Sequence, residues 1–122
     1  MVDSIFILLA ALAVKHWYID FVNQTAEEVA EKGNYLAGAG LRHSVKHGLG
    51  TALVFGMLTT DWIDAVLLGI LDFLLHYHID WAKININRRY NYTVEDQQFW
   101  AWLGADQLAH TFTYLWLVWL IV

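Results

Sequence analysis

Four pairs of metal-ligand residues occur in this 122-residue chain at one spacing. They are His16 and Asp20, His43 and His47, His76 and Asp80, and Asp106 and His110. Imidazole nitrogen and carboxylate oxygen are donors that zinc, iron and manganese accept. An i, i+4 spacing puts both members of a pair on one helix face, one turn apart. Eight donors suffice for two divalent ions at about four ligands each, or about three each with bridging carboxylates and an open position. The first expectation is therefore a dinuclear His/Asp site holding two divalent ions, zinc first, with iron or manganese as the alternatives.

The elements that must position these pairs are apolar. The chain is 58% hydrophobic and 16% aromatic, with only 16% charged residues and neither proline nor cysteine. A soluble domain carries about a quarter charged residues, so the deficit favours lipid as the main solvent. Four apolar segments, 4–22, 41–59, 62–83 and 99–122, approach the roughly 20 helical residues that cross a hydrocarbon core. None alternates with a period of two, which argues against a small β-barrel. The fold expected is all-α: one integral membrane domain over 1–122, a four-helix transmembrane bundle. The loops 23–40 and 84–98 join its spans, and a tight "TTDW" link makes the second and third spans antiparallel neighbours. Thr25 with Glu28, and Thr93 with Glu95 and Asp96, read as helix starts. The first would open a short interfacial helix over 26–32, closed by Gly33 and Asn34. The "ALA" at 11–13 resembles a signal-cleavage site, but no basic residue precedes the apolar run, so the segment is expected to be retained.

All seven basic residues, Lys15, Lys32, Arg42, Lys46, Lys83, Arg88 and Arg89, fall in or beside the two long loops. By the positive-inside rule these loops are cytoplasmic, in an inner membrane, and both termini lie on the far side. The first and third spans then carry their pairs near their ends, and the second and fourth carry theirs in their first halves. All four pairs should share one depth in the cytoplasmic leaflet. "HWYIDF" and "HYHIDW" match in register, and each precedes a polar loop and a helix whose pair ends in His. Two helical hairpins of the same orientation, related by a pseudo-two-fold axis along the membrane normal, account for the repeat.

Other readings compete. Polar side chains between membrane helices can simply hydrogen-bond to one another, at about 1 kcal/mol or less apiece. Burying eight of them without a strong common partner is costly. Haem ligation by two histidines would leave the three aspartates unexplained. His78 lies off the ligand face, as an interfacial contact. Asp72 continues the face of His76 and Asp80 one turn deeper. It could orient a histidine or act as a base for a metal-bound water, or be a buried acid bonded to Thr or Tyr. Trp100, Trp102, Trp116 and Trp119 fit membrane anchoring. The net charge of −5 argues against nucleic acid, and absent cysteine removes thiolate ligands and nucleophiles.

The chain resembles the domain-of-unknown-function 3307 family, small membrane proteins of bacteria and their phages. The likeness rests on "HWYIDFVNQT" with Lys32 after it, "LRHSVKHGL", "HYHIDWAK" and "DQLAH", in family order over nearly the whole chain. It implies Gln24, Lys83 and Gln107 as further motif members around the ligands. A more distant similarity is to inner-membrane proteins described as metal-dependent hydrolases. Three functions follow. The first is a metal-dependent hydrolase acting on a lipid, a phosphate-containing substrate or a peptide bond near the membrane. In it Asp72 and Lys83 are the candidate catalytic residues, and Lys15, Lys46, Lys83, Arg88 and Arg89 hold an anionic lipid or phosphate. The second is a di-iron oxidase or hydroxylase of acyl chains. The third is a non-enzymatic, metal-stapled or ion-handling membrane protein; oligomerisation stays open in all three.

Overall fold

The computed structural model describes residues 2–59 and 61–122. It is all-α, with five α-helices and no strand among the described residues. Helix α1 (Val2–Trp17) runs into a single π-helical turn, Tyr18–Val22. A short helix α2 (Ala26–Glu31) follows, then α3 (Gly38–Leu58), α4 (Trp62–Tyr90) and α5 (Gln97–Trp119). The four long helices form a ring in which α1 packs on α3, α3 on α4, α4 on α5 and α5 on α1. Among the described residues the backbones of α1 and α4, and of α3 and α5, stay apart as diagonals. This ring is compatible with two hairpins, α1 with α3 and α4 with α5, exchanged by a central two-fold.

Two helical segments are long and apolar enough to cross a membrane, Val2–Val22 and Trp62–Tyr90. Only 28% and 33% of their most apolar windows is buried in the protein. Helices α3 and α5 fall short of that standard because they carry more polar residues. Helix α3 holds Arg42, His43, Lys46 and His47 in its first half, and α5 holds Gln97, Gln98, Asp106, Gln107 and His110. The outward faces of all four long helices are nonetheless apolar: Phe6, Leu53, Ile63 and Phe112 are exposed while His43, His47, His76 and Asp80 are buried. That distribution is inverted relative to a bundle folded in water.

The interior has two layers. Leu8, Leu12, Phe55, Ala65, Leu68 and Leu117 pack as an apolar core at one end of the ring. Beyond it, toward the end that carries α2, the helices turn polar side chains inward.

Local differences from the sequence reading have physical causes. Helix α4 is 29 residues long and runs through the first part of the expected 84–98 loop, as far as Tyr90, a length of about 44 Å at 1.5 Å per residue. Nothing between Ile84 and Tyr90 breaks a helix, and the end comes only at Asn91, which adopts a left-handed φ of 55°. Asn85 ties this extension to the loop after α2 by donating to the Gly33 carbonyl at 2.9 Å. Thr25 and Glu28 make the full reciprocal capping box of α2. Thr93 does not cap α5: Asp96 holds the N-cap position, and its carboxylate turns back to accept from the Thr93 N–H at 2.8 Å. The "TTDW" link includes Thr60, which lies outside the described residues; Asp61 caps α4 by accepting from the Ile63 and Asp64 N–H groups.

The α3–α4 contact is the most extensive, and two glycines set its closeness. A Cβ on Gly69 would stand 2.5 Å from the Gly48 carbonyl oxygen, and one on Gly48 would stand 2.7 Å from the Gly69 carbonyl oxygen. Small residues let helix backbones approach in this way, and Gly48 is the neighbour of His47. Gly69→Ala is therefore expected to lower the thermal unfolding midpoint in detergent. Gly104→Ala, where nothing lies within 4 Å of the new Cβ, should leave it unchanged or raise it, because alanine is the better helix former.

Candidate metal centre

Each of the eight ligand-type residues is buried, and their donor atoms converge in the polar layer. The π turn sets the first pair. Asn23 N–H bonds to the Tyr18 carbonyl at 2.8 Å, an i→i−5 closure that widens the helix where Asp20 projects. Such turns recur at functional sites. The Asp20 carboxylate then meets histidines from three helices. Its Oδ1 stands 2.8 Å from His47 Nε2, 3.1 Å from His43 Nε2 and 3.8 Å from His76 Nε2, while its Oδ2 is 3.1 Å from His16 Nε2.

The second hairpin repeats the motif. Asp80 Oδ1 is 3.2 Å from His110 Nε2, and Asp80 Oδ2 is 3.3 Å from His76 Nε2 and 3.4 Å from His43 Nε2. Each hairpin thus builds one triad: a histidine, the aspartate four residues on, and the second-helix histidine. His16–Asp20–His47 and His76–Asp80–His110 correspond. The imidazoles are closely packed: His47 stacks on His76 with ring centroids 3.5 Å apart, and His76 on His110 at 4.1 Å. Asp106 Oδ1 lies 3.6 Å from His110 Nε2.

A ring of polar partners surrounds the eight. Gln24 donates to the Asp20 backbone carbonyl at 3.0 Å and accepts from Lys32 Nζ at 2.7 Å, and Lys32 in turn donates to Asp80 Oδ2 at 3.0 Å. Gln107 donates to Asp106 Oδ2 at 3.0 Å, and its Oε1 is 3.1 Å from His16 Nε2. Gln107 therefore ties one hairpin to the other directly, and Gln24 does so through Lys32. Lys83 Nζ stands 3.4 Å from Asp106 Oδ2. One layer deeper, Asp72 accepts from Lys15 Nζ at 2.9 Å and from the Thr51 hydroxyl at 2.5 Å. It reaches the histidines through Lys15, whose ammonium is 3.4 Å from His47 Nδ1 and donates to the Tyr114 hydroxyl at 3.0 Å. That hydroxyl lies 2.9 Å from His16 Nδ1. Outer partners of this kind fix which imidazole nitrogen faces the centre. His78 lies apart, with Nε2 3.0 Å from the Tyr35 hydroxyl.

Three sets of these residues bring donor atoms within 4.8 Å of one another: Asp20, His43, His47 and His76; His16, His76 and His110; and Asp80, Asp106 and His110. The residues fit a metal. Asp106 Oδ1 is buried beside His110 with no hydrogen-bond partner, and a buried carboxylate oxygen is costly to leave unpaired. The carboxylates also differ in what neutralises them. Lys32 pairs with Asp80, Lys83 with Asp106 and Lys15 with Asp72. Around Asp20, among the described residues, the ionic contacts come from histidines alone.

A family model described as Protein of unknown function (DUF3307) matches residues 7–122, nearly the whole chain. The chain belongs to this family. No curated protein and no solved structure matches it.

Several residues of this DUF3307 chain act around the centre in ways its sequence did not announce. Lys15, Lys46 and Lys83, read from sequence as holders of an external anion, face internal carboxylates instead. Tyr114, absent from the sequence reading, lies four residues after His110, just as Asp72, which that reading named, lies four before His76. Glu28 serves its capping box and also sits buried against α3. It accepts from Lys46 Nζ at 2.9 Å and from Arg42 Nε at 3.1 Å, with an oxygen 3.8 Å from His43 Nδ1. Burial works against its charge, but Lys46, the Thr25 N–H and Arg42 outweigh it and hold the carboxyl at about 2. A carboxyl depressed in the folded state stabilises above its unfolded pKa and loses that contribution as pH falls through the folded value. Glu28→Gln should therefore unfold at a lower temperature than wild type near neutral pH. The gap should close between about pH 4.5 and about pH 2, as read by thermal scans in detergent.

Proposed function

We propose that this protein is a four-span integral membrane metalloprotein whose His/Asp cluster works as a metal-dependent hydrolase. All of α1, α3, α4 and α5 would lie in the bilayer, with α2 and the end of α4 at the cytoplasmic face and both termini opposite. The apolar outward faces of the four helices support this placement, and the lysines and arginines gathered at the α2 end support the orientation.

The observation that carries the metal reading is the convergence of five imidazole Nε2 atoms on the carboxylates of Asp20, Asp80 and Asp106. One ion would be held by Asp20, His43, His47 and His76, and a second by Asp80, Asp106 and His110 with His16 at their shared edge. Bound metal lowers the pKa of water and polarises a carbonyl or phosphoryl oxygen. The chain's own contribution is to hold the imidazoles through Tyr114 and Lys15, and to position Asp106 through Lys83. Asp72 serves this arrangement by fixing Lys15.

One observation favours a second reading. Lys32 and Lys83 already neutralise Asp80 and Asp106, as they would in an ion-handling or structural protein with one metal or none. Metal analysis tests the dinuclear centre on which the hydrolase reading depends. Protein purified in mild detergent without chelator, then equilibrated with Zn²⁺, Fe²⁺ or Mn²⁺ and desalted, should retain about two ions per chain. Chelation should lower its unfolding temperature, since a ligand bound only by the folded state stabilises it. Retention of none, under all three metals, would overturn the proposal.

A further inference from the structure

The wall of the bundle is open at one seam. The α1–α5 contact is the least extensive of the four between the long helices, and a cavity of about 370 Å³ lies along it. Its outer lining is apolar, with Leu9, Ala13 and Leu115 beside exposed aromatic residues. Its inner lining is polar, with His16, His110, Gln107 and Tyr114. His16 and His110 belong to the ligand set, with ring centroids 4.9 Å apart. The cavity thus runs from the apolar outside of the protein to the edge of the metal centre.

We infer that this seam admits one acyl chain of a bilayer lipid and brings its ester end to the His16–His110 edge. The inference rests on the membrane-metalloprotein reading above and names the substrate class for the same site. Three features carry it. The lining is amphipathic in the order a lipid chain requires, with methylene-compatible residues outside and hydrogen-bonding groups within. The opening lies in the outward-facing wall, among exposed apolar side chains, where acyl chains would be the surrounding solvent. Its volume sits at the lower end of small-ligand sites, about 300–1,000 Å³, enough for part of one chain and too small for a whole diacyl lipid. A second groove, about 220 Å³ between α3 and α4, is lined by Val45, Leu49, Ala52, Val66, Ile70 and Phe73 with the two close glycines. It reaches no ligand residue, so it serves as an internal control.

The test uses the full chain in nanodiscs containing phosphatidylglycerol with a photoactivatable diazirine in one acyl chain. Crosslinked positions and metal content are read by mass spectrometry on the same sample. The expected result is enriched crosslinking at Leu9, Ala13 and Leu115 over Leu49 and Val66 of the control groove. Ala13→Trp, which fills the seam from an exposed position, should reduce it several-fold with metal content unchanged. Thr111→Phe, from the opposite wall, should do the same if Ala13→Trp proves unstable. Equal labelling of the two grooves, or seam labelling indifferent to both substitutions, would overturn the inference. A wild type that keeps its metal but shows no preference for the seam defeats the lipid route alone. A wild type without metal defeats the reading beneath it.

Discussion

Asp20→Asn is expected to remove at least one metal ion per chain while leaving the helical content intact. The amide has the shape of the carboxylate but lacks its charge, and it would put an NH₂ group among the imidazole Nε2 atoms that now face the Asp20 oxygens. No lysine lies in ionic contact with Asp20 among the described residues, so the substitution strands no buried ammonium. The fold should therefore survive where the site does not. Asp80→Asn removes a charge that also answers Lys32, whose ammonium is 3.0 Å away and 8% exposed, and should lower stability as well. Metal content by mass spectrometry and circular dichroism on both variants check the contrast. Full metal occupancy in Asp20→Asn would refute the assignment of this carboxylate.

The second large effect concerns the layer beneath. Lys15 and Asp72 form an ion pair at 2.9 Å, with side chains 7% and 1% exposed. Breaking a buried pair by deleting one partner costs about 3–5 kcal/mol, because the other charge is left without an answer. Asp72→Leu alone should thus be strongly destabilised in thermal or denaturant unfolding. The double variant Lys15→Met with Asp72→Leu should recover most of the loss, because a well-packed apolar pair often matches a buried ionic one. Recovery of stability without recovery of metal binding would show that Lys15 positions His47 and Tyr114. Recovery of both would show that the pair serves the fold alone.

The candidate ligand set stood out because two independent periodicities agreed. Two residues drawn from histidine and aspartate fell at i, i+4 in each of the four apolar segments, and the "HWYIDF" and "HYHIDW" blocks repeated the pattern. Only a common polar centre meets both conditions in an apolar chain. The elements around it were harder to read for identifiable reasons. "YIDFV" contains no residue that marks a π turn, because that geometry answers to the packing of Asp20 against α3. The "ININ" stretch alternates apolar and amide residues like a loop, but without glycine or proline it stays helical and docks through Asn85. The lysines were misplaced because a long side chain at a helix end can run outward to the interface or fold inward to a carboxylate. Sequence does not distinguish these until the acid on the neighbouring helix is located.

The two hairpins are near copies in sequence, yet the π turn interrupts the helix at Asp20 whereas α4 runs through Asp80 without a break. Asp20 is met by histidines, Asp80 by histidines and a lysine. A duplicated motif with exact symmetry would offer two cations the same affinity, and they would fill together. Here the degeneracy is lifted by one extra residue in a helical turn and one ammonium group. If the centre holds two ions as proposed, the half whose carboxylate has no ammonium in ionic contact, that of Asp20, is expected to fill first, leaving as the weaker position the one beside the open seam.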